Sequence, residues 1–129
     1  MEMSRVTADD PIAFDGHTTI VSLWADRCAT YGDRVCHREK ELGIWKSYSW
    51  RDYYETVKKI GLALMDLGVQ KGEPVLILAE DRREWIYCDI AAAAVGAIPS
   101  GVYTTDSAGQ LAYLANDSGA RVLFVENDE

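Results

Sequence analysis

The fold is decided by residues 72–125, which read GEPVLILAEDRREWIYCDIAAAAVGAIPSGVYTTDSAGQLAYLANDSGARVLFV. Three short apolar runs in this stretch predict strands, because they are rich in β-branched or large apolar residues: Pro74–Ala79, Ala97–Tyr103 and Arg121–Val125. Helical patterns separate the runs, and strands that alternate with helices build a parallel sheet. Residues 72–129 are therefore interpreted as a βαβαβ unit.

This unit is predicted to be incomplete. Parallel strands need cover on both faces, and a helix usually follows the last strand. Only Glu126–Glu129 follow it here. The predicted fold class is therefore α/β, an incomplete parallel (βαβαβ) sheet with flanking helices, preceded by a helix, a short hairpin and an amphipathic helix in residues 1–71.

The helix between the first two strands is apolar on nearly all sides. Its body, Trp85–Ala97, contains one charged residue, Asp89, and Asp81 with Glu84 predicts a capping box at its start. Such a helix is typically buried between two layers. Because this chain offers one partial sheet, we expect the second layer to come from further sequence or from another copy, as in a homodimer. The alternative is that Ala91–Ala94 tolerates partial exposure.

A helix and a hairpin are predicted in the lead-in. The helix begins after Thr18 or Thr19 as the N-cap and ends at Gly32, with Ile20, Leu23, Trp24 and Tyr31 on one side. Two short strands, Arg34–Arg38 and Ile44–Tyr48, are predicted to pair around a turn at Lys40–Gly43. The hairpin residues expected to be buried are Val35, Ile44 and Tyr48.

The firmest helix signal in the lead-in follows the hairpin. Ser49 and Asp52 form an S-x-x-D capping box, and apolar residues then recur at steps of three and four as far as Gly68: Trp50, Tyr53, Val57, Ile60, Leu64 and Leu67. The aromatic side chains around this point are predicted to pack in the core and hairpin. The alternatives are an acyl tunnel or a membrane-facing edge, and the residues concerned are Trp45, Tyr48, Trp50, Tyr53 and Tyr54.

Composition excludes some functions. The formal net charge of −8 opposes binding to nucleic acid, which needs clustered lysine and arginine. Three cysteines without C-x-x-C spacing indicate neither a disulfide framework nor a zinc site, so a reducing cytoplasm fits best. The N-terminus MEMSRVTADD does not resemble a signal peptide, and the apolar stretch Ile90–Gly101 is too short to cross a bilayer. We therefore expect a soluble cytoplasmic protein, with membrane-peripheral attachment possible for a longer parent.

Common catalytic motifs are absent from the sequence. It contains no G-x-G-x-x-G, no Walker loop, no G-x-S-x-G elbow and no H-E-x-x-H pair. Two histidines, His17 and His37, lie twenty residues apart without the cysteine or carboxylate spacing of a metal site. The sequence therefore predicts no catalytic and no metal-binding residues of its own.

Three segments carry a resemblance to a known family: IWKSYSWRDYYETV, GLALMDLGVQKGEPVLILAEDRREW and AAVGAIPSGVYTTDSAGQLAYLANDSGARVLFVEND. Together they resemble the start of the adenylate-forming (AMP-binding) acyl-CoA synthetases, and GIWKSYSW at Gly43–Trp50 is most similar to the long-chain fatty acyl-CoA ligases. The pattern L-x-x-L-G-V-x-x-G-(E/D)-x-V at Leu64–Val75 is common to the whole superfamily. The resemblance covers the chain from about Leu23 onward and implies that residues 1–129 are the N-terminal portion of a large AMP-binding domain.

The resemblance implies a two-step reaction in the parent protein. ATP, with Mg²⁺, and a fatty acid give an acyl-adenylate and pyrophosphate, and the CoA thiol then displaces AMP. The family's phosphate loop, its later acidic motif and its lid lysine belong downstream, so this chain alone is expected to be inactive and to bind no cofactor tightly. The resemblance assigns Tyr103, Thr104 and Thr105 to a loop that lines the CoA side of the site. These residues follow the second strand, at the edge where open α/β sheets bind ligands. The alternative is that Thr104–Ser107 only caps the next helix.

Two other functions remain open from sequence. Val75–Asp81 resembles the first strand and acidic pair of a receiver domain, in which Glu80 and Asp81 would hold Mg²⁺ and Glu126 or Asp128 would lie near the acceptor position. The chain could also be a non-catalytic module that associates with itself through uncovered apolar faces. If the chain is part of an acyl-CoA synthetase, as the resemblance implies, its expected partners are the remainder of its own large domain, a fatty acid and CoA.

Overall fold

A computed structural model describes residues 14–127, which form four helices and five strands. In chain order they are α1 (Ile20–Tyr31), β1 (Val35–Glu41), β2 (Ile44–Ser49), α2 (Trp50–Asp66), β3 (Pro74–Leu78), α3 (Arg83–Ala94), β4 (Ile98–Gly101), α4 (Ala108–Ser118) and β5 (Val122–Val125). Strands β1 and β2 form an antiparallel hairpin, and the other three form a parallel sheet in the order β4-β3-β5. The predicted α/β fold class is confirmed.

The sheet is centred on β3, whose apolar run is buried on both faces. Val75 and Ile77 pair with Val122 and Phe124 of β5, and all four side chains lie on the face toward α3. The relative exposure of Val75 is 0% and that of Leu76, on the opposite face, is 2%. A continuous apolar run is thus what a central parallel strand requires.

Helix α3 is buried, as its apolar composition predicts, but its outer layer comes from its own chain. Tyr87, Ile90 and Ala91 pack against Tyr53 and Val57 of α2. The next residue, Ala92, packs with Leu64 of α2 and Val75 of β3. The expectation that another copy or further sequence must cover α3 is wrong, because the amphipathic stripe of α2 supplies the missing layer.

The hairpin differs from its prediction in length and in burial. Strand β1 continues to Glu41, so the turn consists of Leu42 and Gly43 alone. Val35 and Ile44, predicted to be buried, are 49% and 68% exposed. The register shifts between Val35 and His37, as at a β-bulge, and a bulge changes which side chains face inward. His37, rather than Val35, therefore faces α2, and it lies beside Tyr48, which faces inward as predicted and is half-buried against Arg83 of α3. Ile44 lies on the same face of β2 as Tyr48 but next to the turn, where it is exposed.

Helix boundaries follow the predicted caps in most places. Thr19 caps α1 and Gly32 ends it, while Ser49 and Asp52 form the predicted capping box of α2. The capping box predicted at Asp81 does not form: α3 begins after Arg82, which makes no side-chain cap. The carboxylate of Glu84 instead accepts a hydrogen bond from Arg82 Nε at 2.7 Å.

Part of the predicted aromatic cluster is core packing, while Trp45 and Tyr54 are exposed. Tyr53 is 5% exposed and its ring lies 4.7 Å from that of Tyr87 and 5.4 Å from that of Trp24, centroid to centroid. Trp50 packs against the same cluster. Trp45 is different, because 64% of its surface is exposed on the hairpin.

The sheet face opposite α3 is only partly covered. Helix α4 has no buried residue, and Tyr113 on it is 66% exposed. On the same face Leu123 and Val125 of β5 are 37% and 53% exposed. The length and apolarity required to cross a bilayer are not met by any helix within residues 14–127.

Candidate ligand crevice

The candidate site lies at the edge where the three parallel strands end. Strand β3 ends at Leu78, and the backbone N–H of Val102 donates to the carbonyl of Ile77 at 2.9 Å, which extends the pairing of β4 with β3. Because Val102 is 7% exposed, it anchors the loop that follows. The predicted site residues therefore start at a fixed position on the sheet edge.

The three predicted residues form a tight turn on this edge. The N–H of Asp106 donates to the carbonyl of Tyr103 at 3.0 Å, so Thr104 and Thr105 are the central residues of a β-turn. The side chain of Tyr103 is 78% exposed. Helix α4 is capped by Ser107, whose hydroxyl accepts the N–H of Gln110. Capping is thus the role of Ser107, and Thr104 and Thr105 are left with their hydroxyls at the sheet edge.

Thr104 lies between two depressions in the surface. A cavity of about 440 Å³ lies on the α4 side, between Leu78, Leu111 and Glu126. A second, of about 560 Å³, lies on the α3 side and is lined by Tyr103 and Trp85. Thr104 contributes to the walls of both. Open α/β sheets bind ligands in the crevice outside the carboxyl ends of their strands, and these depressions occupy that place.

The α3 side of the crevice depends on a glycine at the end of β4. A Cβ atom added to Gly101 would lie 3.0 Å from a ring carbon of Trp85. Glycine therefore lets the indole pack flat against the strand end. The indole also lines a smaller cavity of about 170 Å³ under β5, together with Cys88. Burial raises the pKa of the Cys88 thiol to about 11, so this thiol is protonated at neutral pH.

An arginine holds the ends of β3 and β5 together beside the crevice. Arg82 Nη1 donates to Glu126 Oε1 at 2.8 Å, and the backbone N–H of Glu80 donates to the other carboxylate oxygen of Glu126 at 2.9 Å. The hydrogen bond from the Glu80 N–H, with that from Arg82, lowers the pKa of Glu126. Arg82 also binds Glu84 at the start of α3. We call this group, Arg82, Glu84 and Glu126, the edge clamp.

Removing one carboxylate of the edge clamp should lower stability in a pH-dependent way. In Glu126→Gln we expect a lower melting temperature than in the unchanged chain at pH 7, since the charge-assisted bond from Arg82 is lost. The folded-state pKa of Glu126 lies below its ordinary value of 4.5. Its contribution is therefore complete above about pH 5 and is lost as the pH falls through the folded-state pKa.

Thermal denaturation between pH 7 and pH 3 measures this prediction. The melting temperatures of Glu126→Gln and the unchanged chain should converge as the solution is acidified. The matched control is Glu55→Gln on the exposed side of α2, which should have little effect on melting temperature. A difference for Glu126→Gln that stays constant with pH would contradict the assigned role.

The edge carries carboxylates but no metal cluster. Among residues 14–127 no group of three or more His, Cys, Asp or Glu side chains is arranged to hold a metal ion. Glu126, an acceptor candidate of the receiver reading, is occupied by Arg82 and by the N–H of Glu80. Asp128, the other candidate, lies outside the described residues. A carboxylate paired with an arginine, as Glu126 is here, does not resemble the preformed phosphorylation site of a receiver domain.

Sequence reasoning missed Arg82, although one signal pointed to it. Arginine is a poor N-cap residue, because its side chain cannot accept the free N–H groups of the first turn. An arginine directly before a helix start therefore needs acidic partners. One of them, Glu84, is two residues away, whereas Glu126 is 44 residues away and becomes a neighbour only because β5 pairs with β3.

The chain matches one family of enzymes over most of its length. The model of the family "AMP-binding enzyme" matches residues 24–129. Over 126 residues the chain is 30% identical to long-chain-fatty-acid–CoA ligase FadD15 of Mycobacterium bovis, covering 98% of this chain and 21% of that protein. It is 31% identical over 121 residues to long-chain-fatty-acid–CoA ligase ACSBG2 of Xenopus laevis, covering 94% of this chain and 16% of that one. The chain thus spans about a fifth of the length of these relatives or less.

A solved structure has the same fold. The N-terminal subdomain of NpsA from Klebsiella oxytoca superimposes with a TM-score of 0.72 at 18% identity, over 85% of this chain and 28% of that one. Neither the sequence nor the structural matches support the receiver alternative. The family match extends over most of the chain, including the whole parallel sheet and the crevice loop. The chain belongs to the AMP-binding enzyme family.

Proposed function

We propose that this chain is the N-terminal portion of the large domain of a long-chain fatty acid–CoA ligase. In this proposal residues 1–71 are a lead-in, residues 72–129 are the βαβαβ unit, and the main partner is the remainder of the same domain. The observation that carries it is the AMP-binding family match over residues 24–129, together with relatives named as long-chain-fatty-acid–CoA ligases. The partly covered face of α4 and β5 offers apolar surface for that remainder.

The proposed reaction has two steps. A fatty acid and ATP, with Mg²⁺, form an acyl-adenylate and pyrophosphate, and the thiol of CoA then attacks the acyl carbon and releases AMP. The first step needs cationic and N–H donors around the phosphates. The crevice edge does not fit that need, since its carboxylates repel phosphate and Arg82, a cation beside it, is committed to the edge clamp. We therefore assign no step on ATP or Mg²⁺ to the described residues.

The crevice edge fits the neutral arm of CoA better than its phosphates. Thr104 offers a hydroxyl that can both donate and accept, and Tyr103 adds an exposed phenol. Amide groups such as those of the pantetheine arm can bond to such hydroxyls without a charge partner. The residues that would line this arm are Tyr103, Thr104 and Thr105, and their contribution is to orient it.

The proposed localisation is cytoplasmic. Cys28, Cys36 and Cys88 are all free thiols, and burial raises the pKa of Cys28 and of Cys88 to about 11. Free cysteines of this kind are consistent with a reducing compartment, which supports the proposal.

The test uses the full-length parent protein. With ATP, Mg²⁺, CoA and palmitate, we expect palmitoyl-CoA and AMP in equal amounts by mass spectrometry, and palmitate-dependent exchange of pyrophosphate into ATP for the first step alone. The 129-residue chain is expected to produce neither. A full-length protein that forms no acyl-adenylate from fatty acids of any length would refute the function.

Thr104→Val in the full-length parent tests the crevice assignment separately. We expect a rise of roughly tenfold in KM for CoA, since one hydrogen bond to the substrate is lost. Pyrophosphate exchange should not change, because CoA takes no part in that step. Thr30→Val on the exposed face of α1 is the matched control. An unchanged KM for CoA in Thr104→Val would remove Thr104 from the site and leave the overall function untouched.

A further inference from the structure

The hairpin ends in an apolar tip that none of the described residues cover. Leu42 in the turn is 97% exposed, Ile44 is 68% exposed and Trp45 is 64% exposed. We call Leu42, Gly43, Ile44 and Trp45 the hairpin tip. Contiguous exposed apolar side chains on a protruding element typically mark an interaction surface.

The turn itself does not explain the leucine. Leu42 has φ 49° and Gly43 has φ 83°, so both central residues of the two-residue loop have positive φ. Turns of this kind favour Asn-Gly or Asp-Gly, because a bulky side chain is strained at positive φ. Leucine at this position therefore costs stability to the hairpin and exposes an aliphatic side chain to water. Leu42 is therefore unfavourable both in its backbone conformation and in its exposure to water, and this combination indicates a role beyond folding.

The outer face of the hairpin carries positive charge. Lys40 pairs with Trp45 across the two strands, and its ammonium lies 5.9 Å from the indole centroid. Arg38, two residues before Lys40, shares that face, because side chains alternate along a strand. No ion pair is formed by Arg38 or Lys40 with any part of the chain that the structure describes.

The acidic residues of the hairpin lie on the other face and have partners. Glu39 binds Arg83 of α3, and Glu41 binds Lys46 of the neighbouring strand. Their charges are therefore compensated locally. Although the whole chain has a formal net charge of −8, the outer hairpin face presents two uncompensated cations beside the apolar tip.

We propose that the hairpin tip inserts into the surface of an anionic lipid bilayer. Leu42 and Trp45 would enter the interface, where aromatic side chains are enriched, while Arg38 and Lys40 would contact the negatively charged head groups. Ile44 lies across from Glu41 on the opposite face of the hairpin and is not part of this contact. An acidic polypeptide fits less well, since two cations can pair with its carboxylates but cannot cover the exposed apolar side chains of Leu42 and Trp45. The proposal concerns attachment and does not depend on the reaction proposed above.

The test is co-sedimentation of the 129-residue chain with lipid vesicles. We expect binding to vesicles of phosphatidylcholine with 40% phosphatidylglycerol, and at least tenfold weaker binding to pure phosphatidylcholine. Binding to the anionic vesicles should fall as salt is raised. Brominated lipids should quench part of the tryptophan fluorescence, and Trp45→Phe should abolish that quenching.

Leu42→Asn separates the proposed role from a structural one. Asparagine suits positive φ, so this variant should melt at a higher temperature than the unchanged chain. Its partitioning to anionic vesicles should nevertheless fall by about tenfold, because the deepest apolar side chain is lost. Leu62→Asn on the exposed side of α2 is the matched control and should bind vesicles as the unchanged chain does.

A second pair of variants tests the charges. Arg38→Gln with Lys40→Gln should lower binding to anionic vesicles by roughly thirtyfold, at about 1 kcal/mol for each cation. Lys58→Gln with Lys59→Gln on α2 changes the net charge equally and should have little effect. The proposal is overturned if the unchanged chain ignores anionic vesicles, if the control pairs lose binding equally, or if polyglutamate binds the hairpin and vesicles do not.

Discussion

Replacing Leu64 with alanine is expected to lower the free energy of unfolding by about 3 kcal/mol, one of the two largest effects expected of a single substitution here. Leu64 lies on the inner side of α2, is 1% exposed, and packs with Val75 of β3 and Ala92 of α3. Truncation would remove buried methyl groups and leave a cavity at the junction of three elements. Because the surrounding backbone is held by a sheet and two helices, it cannot collapse to fill that cavity.

The measurement is urea denaturation of the purified chain, followed by far-ultraviolet circular dichroism. Leu62→Ala, two residues earlier on the same helix and 56% exposed, is the matched control and should change stability by less than about 0.5 kcal/mol. Both substitutions remove the same atoms from the same helix, so their difference isolates packing. Equal effects would mean that α2 does not cover α3 in solution, and that its cover comes from another molecule after all.

The pattern of α2 could be predicted in detail because its information is local. A capping box at Ser49 and apolar residues at steps of three and four fix where the helix begins and which side faces inward, and Tyr53, Val57 and Leu64 are buried accordingly. The prediction is wrong at the last position of the apolar stripe, because Leu67 is 65% exposed. Leu67 is the C-cap of the helix, after its last residue Asp66, where the helix no longer lies against the rest of the core.

Non-local features could not be predicted. The apolar helix α3 requires a second layer, but nothing in the local sequence says that α2, rather than another chain, supplies it. The hairpin failed for a different reason. One bulge near Cys36 puts Val35 on the opposite face from His37, and a period of two gives no warning of a single extra residue. The exposure of Ile44 has another origin, because Ile44 lies on the same face of β2 as Tyr48 but next to the turn.

One part of the candidate crevice could be predicted from sequence and another part could not. The position of Tyr103 and Thr104 follows from topology, because every parallel strand ends at the same edge of the sheet. The edge clamp could not be predicted in this way, because Arg82 and Glu126 become neighbours only through the strand order β4-β3-β5. Whether Tyr103, Thr104 and Thr105 contact CoA stays a prediction that the Thr104→Val experiment decides.

Replacing Ala91 with leucine should also destabilise the chain, by about 3 kcal/mol, through overpacking. Ala91 is 0% exposed on the side of α3 that meets α2. The two helices approach closely there, since a Cβ atom added to Gly61 of α2 would lie 3.9 Å from the carbonyl oxygen of Ala91 and 3.5 Å from Val95. Three additional carbon atoms have no room unless α2 moves away from α3.

The control is Ala94→Leu, three residues later on the exposed side of the same helix, which should be neutral because leucine is nearly as good a helix former as alanine. A displaced α2 would also disturb the stacked rings of Tyr53 and Tyr87, so the near-ultraviolet circular dichroism of Ala91→Leu should weaken before unfolding begins. If Ala91→Leu were as stable as Ala94→Leu, α2 and α3 would not be in contact. Small residues on both helices set the thickness of this layer, and that thickness fixes how far β3 lies from the surface of α2.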